Sequence, residues 1–336
     1  MKRLLSGLLT TLLTICLFGA NRADAIDIPQ RPAGYANKTV TIICPFAPGG
    51  AIDNSLRALQ PILAKYGVDT IVTNVTGSGG VVGAMEAING SPDGYTVSTI
   101  GPGFMAVWVQ GMVDFSWDKV TFITRSTMDS NGIFVRTDAE WKNADELVKW
   151  IIANPGKFSV GMAGSNQALN MMISGSLEAE LGGKDAINIL GYDGASRAAT
   201  ELIGGHIYGV QGKMADYISH VRSGLIRPVM SLAAERVSIY EGIQTFNELP
   251  YPDIVPTGDP AANTTLVVAA AGLKPEVAEY LQKVFSAAVA SDEYQAYAAS
   301  AGSIAIPLSP EECRKAADAF YNLKRAEAIA SGLIEE

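Results

Sequence analysis

Apolar strands that each end on a glycine-rich turn immediately before a helical stretch constrain this chain more than any other feature. The run over 39–46 reads as a strand, breaks at Pro48-Gly49-Gly50, and passes at once into a helical pattern over 51–65. There Ile52, Leu56, Leu59 and Leu63 recur at helical spacing. Gly67 closes that helix, and Pro61 inside it predicts a kink. A second strand over 69–75 leads through Gly79-Gly80 into a helix over 81–88, and the turn Pro92-Asp93-Gly94 opens a third strand over 95–100. A βαβαβ series implies parallel strands with helices on both faces.

The alternation restarts with a strand over 132–136 and an amphipathic helix over 143–153 that carries Leu147, Trp150 and Ile151. Elements follow over 167–180, 186–190, 195–203, 206–210, 214–221 and 226–231. Next come the loop "ELPYPDIVPTGDPAANTT", a strand over 266–270 and C-terminal helices from 274. The expected fold class is α/β with two lobes, each a mainly parallel sheet flanked by helices. The first unit has only three strands of its own, so the tail must return to it. The chain then crosses between lobes near 124–131 and 233–263, with 26–126 plus 247–336 in one lobe and 127–246 in the other. A double crossover makes a hinge, and a hinge between α/β lobes makes a cleft.

With 336 residues, 48% of them hydrophobic, the chain has enough apolar material for two cores. Residues 1–25 read as an export signal: Lys2 and Arg3, an apolar run over 4–20, and Ala23-Asp24-Ala25 as the cleavage site, with cleavage after Ala25. Losing the signal's three basic residues and one acidic residue takes the net charge from −9 to −11. So acidic a chain offers no general basic field to nucleic acid or to anionic lipid. Cys44 and Cys313 remain; they could pair in an oxidising compartment, or be buried and inert, as an apolar strand favours for Cys44.

In open α/β sheets, ligands sit beyond the carboxyl ends of the strands. Glycine and small polar residues gather at those ends: "PFAPGG", "TGSGG" and "GPG" in the first unit, "GMAGSNQ" (161–167) and "GYDGAS" (191–196) in the second. Glycine lets backbone N–H groups approach a ligand, and a helix N-terminus adds partial positive charge, so the pattern suits an anion. The P-loop pattern GxxxxGK[ST] is absent, and "GSGGVVG" misses GxGxxG spacing, which argues against polyphosphates and dinucleotides. A carboxylate needs only a few neutral donors, and Ser78, Ser165, Asn166 and Gln167 supply side chains for it. Four hydrogen bonds to a charged group net about 6–12 kcal/mol, against about 8 for micromolar binding.

Catalysis finds little support. The two histidines, His206 and His220, fall on different elements, and no metal or other cofactor is expected. The nearest approach to a GxSxG elbow, around Ser196, ends in Ala198. Asp53, in the first turn of its helix, is as well placed to cap that helix as to touch a ligand.

"PFAPGGAIDNSLR" resembles the PFxPGGxxDxxAR signature of the periplasmic substrate-binding proteins of tripartite tricarboxylate transporters, the Bug family. "NVTGSGGVVGAMEAINGSPDGYTV" is similar to a second segment of that family, and "ELIGGHI", "HVRSGLIRPV" and "GLKPEVAEYLQKVFSAAVASDEYQAYAASAG" extend the likeness over nearly the whole mature chain. The resemblance implies a two-lobed, Venus-flytrap-like periplasmic receptor. Such a receptor closes as a monomer around a small organic acid, a di- or tricarboxylate or an aromatic carboxylate, and delivers it to a large and a small membrane subunit. A carboxylate-sensing signalling system could use the same cleft, and that is the alternative reading.

Carried over by position, Pro48, Gly49, Gly50 and Asp53 form the first ligand loop and Ser78, Gly79 and Gly80 the second. Ser165, and then Gly194 and Ala195, serve from the other lobe; Asn166 and Gln167 stand beside Ser165 as candidates on their neutral donors alone. Three departures stand out: Ala168 where the family has histidine, Asp193 where it has lysine, and Arg197 where it has proline. Arg197 is either a partner for a second carboxylate or a solvated helix residue.

Overall fold

The structure, a computed structural model, describes residues 30–163, 173–174, 176–192, 194–233, 236–251, 264–330 and 334–335. The expected export signal lies outside them. The described strands divide into two five-stranded sheets. β1 (Val40–Cys44), β2 (Thr70–Asn74), β3 (Thr96–Ile100), β4 (Val120–Met128) and β10 (Thr264–Ala270) make the first, in the order β2-β1-β3-β10-β4. β5 (Asn131–Arg136), β6 (Phe158–Ala163), β7 (Ile187–Tyr192), β8 (Gly209–Lys213) and β9 (Ile226–Ser231) make the second, in the order β7-β6-β8-β5-β9.

Three strands of each sheet pair in parallel; a fourth is antiparallel to its neighbours on both sides. Four of five strands in each sheet therefore run one way. The reversed strand is in each case the one on which the chain arrives from the other lobe: β5 follows β4 across Asp129-Ser130, and β10 follows β9. Entering at the edge where the other strands finish, it can only run against them.

Helix α1 (Ala51–Lys65) buries Leu56, Leu59, Ile62 and Leu63 against Val40, Ile42 and Val72 of the first sheet. Each such side chain contributes about 1.5–3 kcal/mol. The tail does return to this lobe: α8 (Pro275–Ala290) and α9 (Asp292–Ala301) share the face of α1 through Val284, Phe285 and Tyr294. On the opposite face α2 (Val81–Ile88) and α3 (Pro102–Val109) pack with α10 (Pro310–Ala330) around Phe104, Phe115 and Phe320. Cys44 and Cys313 are buried free thiols in the two separate clusters, so they do not pair.

In the second lobe, α4 (Ala144–Ala153) and α5 (Glu178–Leu181) cover one face, and α6 (Ala195–Ile203) and α7 (Met214–Arg222) the other. Beyond β9 the chain still belongs to this lobe, where Tyr240 packs with Phe134, and Phe246, Leu249 and Tyr251 join the α4 side.

Two elements differ from the sequence reading. "GPG" reads as a turn, yet Pro102 occupies the first turn of α3, where its missing N–H costs nothing. The strand expected over 206–210 runs Gly209–Lys213 instead. Its glycines look like strand breakers but are packing requirements: a Cβ on Gly209 would lie 2.9 Å from the Phe158 ring, and one on Gly212 2.8 Å from that of Tyr217.

Candidate functional site

The three first-lobe loops interlock at the carboxyl ends of β1, β2 and β3. After β1 the chain turns at Gly49 (φ +81°), and Gly50 caps α1 in an extended conformation, with no side chain bonding to the helix's first amides. Ala47, Pro48, Gly49 and Gly50 are all exposed. After β2, Gly77, Ser78, Gly79 and Gly80 have φ values of +143°, +45°, +63° and +95°. Among described residues Ser78 alone takes positive φ without being glycine, a conformation costing of order 1–2 kcal/mol. Two backbones meet so closely that a Cβ on Gly103 would sit 2.4 Å from the Gly79 carbonyl oxygen, and one on Gly80 3.0 Å from the Phe46 ring. Each loop thus fixes the next, and only glycine fits the contacts.

Asp53 organises the first loop from beneath. Its side chain is 2% exposed, and its two oxygens accept three hydrogen bonds. Oδ2 takes the Gly49 N–H at 2.9 Å and Arg57 Nε at 2.9 Å, and Oδ1 takes Asn74 Nδ2 at 2.7 Å. Asn74 Nδ2 also donates to the Phe46 carbonyl at 2.9 Å, and Arg57 Nη2 donates to Asn74 Oδ1 at 2.9 Å. Burial opposes ionisation, but the bonds from Arg57, Gly49 and Asn74 outweigh it and hold the carboxyl below its ordinary value. Neither capping of its own helix nor an open ligand contact describes Asp53: its hydrogen bonds fix Gly49 from below.

The sequence reading missed Asn74 and Arg57. The signal for Arg57 was available as an acid and a base four residues apart on one helix. Asn74 carried none, because only the β1–β2 register brings it opposite Cys44.

In the second lobe only part of the matching rim is described. Ser165, Asn166 and Gln167, with Asp193, lie outside the described residues. Gly194 caps α6 with extended backbone, has open space around its α-carbon, and makes no side-chain cap. Ala195 follows as the first helical residue. The Arg197 side chain is 69% exposed and pairs with Glu201 at 3.0 Å, which fits the solvated reading.

Ser196 is the second residue of α6, at the sheet edge where the loops lie, whereas His220 stands six residues into α7, about 9 Å along its axis. The helix starts share one edge, so the two side chains form no nucleophile–base pair.

Tyr297 of α9 links the loops to the interlobe crossing. Burial, followed by the charges of Asp129 and Asp53, pushes its hydroxyl up to about 12. Asp53 belongs to the first loop and Asp129 to the crossing between β4 and β5, so both lie near one tyrosine.

Two lobes of one topology, joined by two crossovers and carrying helix N-termini on the edges where their parallel strands finish, define a periplasmic-binding-protein-like fold. The chain belongs to the tripartite tricarboxylate transporter family receptor (TctC) group, whose sequence profile matches residues 56–319. It is 26% identical over 298 residues to Protein BugT of Bordetella pertussis, covering 86% of this chain and 88% of that protein. Two solved structures from Rhodopseudomonas palustris share the fold at 19% identity. Rpa4515 with adipate superposes with a TM-score of 0.72, covering 88% of this chain and 97% of that one. MatC with bound malate does so with a TM-score of 0.68, covering 85% and 98%.

Proposed function

We propose that this protein is an exported, periplasmic, non-catalytic receptor that closes its two lobes around one carboxylate group of a small organic acid. It then delivers the acid to the large and small membrane subunits of a tripartite transporter. Cleavage after Ala25 releases it, and it works as a monomer without a cofactor. The observation that carries this reading is the use of Asp53. The one acid beside the first loop is consumed by Gly49, Arg57 and Asn74, so its charge is neutralised below the loop, while Gly50 above it is exposed and its N–H makes only a long 3.5 Å bond to the Ala47 carbonyl. Helix N-termini and glycine amides of this kind stabilise a carboxylate without any cationic side chain. Family membership supports the reading, as do the malate and adipate held by two proteins of the same fold.

Pro48, Gly49, Gly50, Ser78, Gly79 and Gly80 supply the first-lobe contacts, with Asp53 as a positioning residue. Ser165, Asn166, Gln167, Gly194 and Ala195 supply the contacts of the other lobe on closure. The test is a thermal-shift screen of small carboxylates beginning with malate and adipate. A ligand at a hundred times its Kd adds about 2.7 kcal/mol to stability. Gly50→Val should abolish the shift and leave the fold intact, because a Cβ there meets only the Ala47 carbonyl oxygen, at 3.5 Å. An undiminished shift in that variant refutes the loop assignment.

A further inference from the structure

Three chain segments from the two lobes meet on one buried ion pair at the crossing. Asp129 lies between the last residue of β4 and the first of β5, and its side chain is 3% exposed. Its Oδ2 accepts Lys213 Nζ at 2.9 Å, and Lys213, 13% exposed, ends β8 of the second lobe. Its Oδ1 accepts Ser303 Oγ at 2.6 Å, from the segment that follows α9 in the first lobe. That segment is itself bonded to the crossing strand, since Met128 and Ile304 exchange backbone hydrogen bonds. One residue earlier Gly302, at φ +72°, lies so close to α7 that a Cβ would sit 2.5 Å from Met214 Cγ. On the second-lobe side, the Tyr240 hydroxyl donates to the Ser130 carbonyl at 3.0 Å, and Arg222 reaches the Ser300 carbonyl.

Apolar packing does not fill the seam beside these contacts. A cavity of about 500 Å³ opens between Met214, Ile218 and Ile239 of one lobe and Gln295, Ile304 and Ile306 of the other. A close-packed interface resists rotation through its whole area, whereas along this open groove the two lobes are not packed against each other, which gives the specific bonds beside it more weight. Buried ion pairs contribute little net stability against apolar replacements, and their best-attested use is to fix one arrangement among several. Atoms next to a rotation axis move least when the lobes turn, and Asp129 lies in the crossing itself.

We infer that Asp129, Lys213 and Ser303 form the pivot of the hinge, a polar joint that restricts the angle between the lobes while leaving each lobe's fold independent of it. Among the described residues the titratable groups near it are Asp216 on α7, whose Oδ2 accepts the Lys213 backbone N–H at 3.3 Å, and the hydroxyls of Tyr240, Tyr294 and Tyr297, which feel the Asp129 charge. Lys213 is the one cation among these groups. Removing its charge leaves Asp129 without its cationic partner, with the Asp216 carboxyl nearby, so the joint should loosen and the lobes swing apart.

The test needs no ligand and so stands independently of the proposed function. Labels on Asn89→Cys and Lys184→Cys, one exposed site on each lobe, report the interlobe distance distribution by pulsed electron spin resonance. The native thiols are buried. Lys213→Met should broaden that distribution and shift it to longer distances, with the far-ultraviolet circular dichroism unchanged. If that variant does not fold, Asp129→Asn, which keeps hydrogen-bonding capacity and loses the charge, should give a smaller broadening. An unchanged distribution in a folded variant of either kind overturns the pivot.

Discussion

The two lobes share one strand order, yet the described parts of their rims are built differently. In the first lobe, three loops hold one another through backbone contacts that admit only glycine, and a buried carboxylate bonds the first loop from below. In the second, the described part of the matching rim has open space around Gly194 and a solvent-facing Arg197. The difference teaches that a shared topology fixes where loops emerge but not how rigid they are. Rigidity comes from what lies beneath them. In the proposed receptor the carboxylate would meet first-lobe loops that are already fixed, which limits the ordering cost of binding on that side.

The sharpest way to break this contrast is to remove the brace. Asp53→Ala leaves Gly49, Asn74 and Arg57 without their acceptor, and should lower stability by about 2–4 kcal/mol in chemical denaturation, less than for a fully buried pair because Arg57 is half-exposed. Carboxylate binding should fall with it. The pH dependence has a definite sign. The folded-state pKa of Asp53 is depressed, so its contribution is fully present above the unfolded value of about 3.9 and disappears as pH falls through the folded value. Asp53→Asn should therefore flatten the acid limb of the stability profile; a limb as steep as before would show that the carboxylate is not the brace.

Next in size is Gly103→Ala. Its new methyl group meets the Gly79 carbonyl, which is backbone and cannot swing away, so a loss of about 1–3 kcal/mol is expected from thermal unfolding. The matching change in the other lobe, Gly194→Ala, fills open space on extended backbone and should move stability by no more than about 0.5 kcal/mol. Equal effects at the two glycines would erase the contrast. Smallest of all is Arg197→Ala, which breaks an exposed pair worth about 0.3–0.5 kcal/mol. Isothermal titration should find ligand affinity unchanged, and a tenfold loss would bring Arg197 into the site.

Periodicity made most of the fold legible. The strand–glycine–helix series located β1, α1, β2, α2 and β3, and the lack of a further strand in the first unit forced the tail to return. What it hid were contacts between segments far apart in sequence. That β8 runs on through Gly212 was hidden, because the Tyr217 ring packed on that glycine comes from another element. Asp53 was visible as a charge near a ligand loop, but whether it faced outward or inward depended on Asn74, which only the β1–β2 register reveals. Asp129 and Lys213 drew no notice for the same reason: 84 residues separate them.

The central claim is that main-chain amides of the preorganised lobe hold the carboxylate, and amide chemical shifts test it most directly. With glycine-selective nitrogen labelling, titration with whichever acid stabilises the protein should move the signals of Gly49, Gly50, Gly79 and Gly80 to one shared saturation point, and leave distant Gly67 and Gly224 in place. Saturable binding that leaves those four signals unmoved would contradict the account.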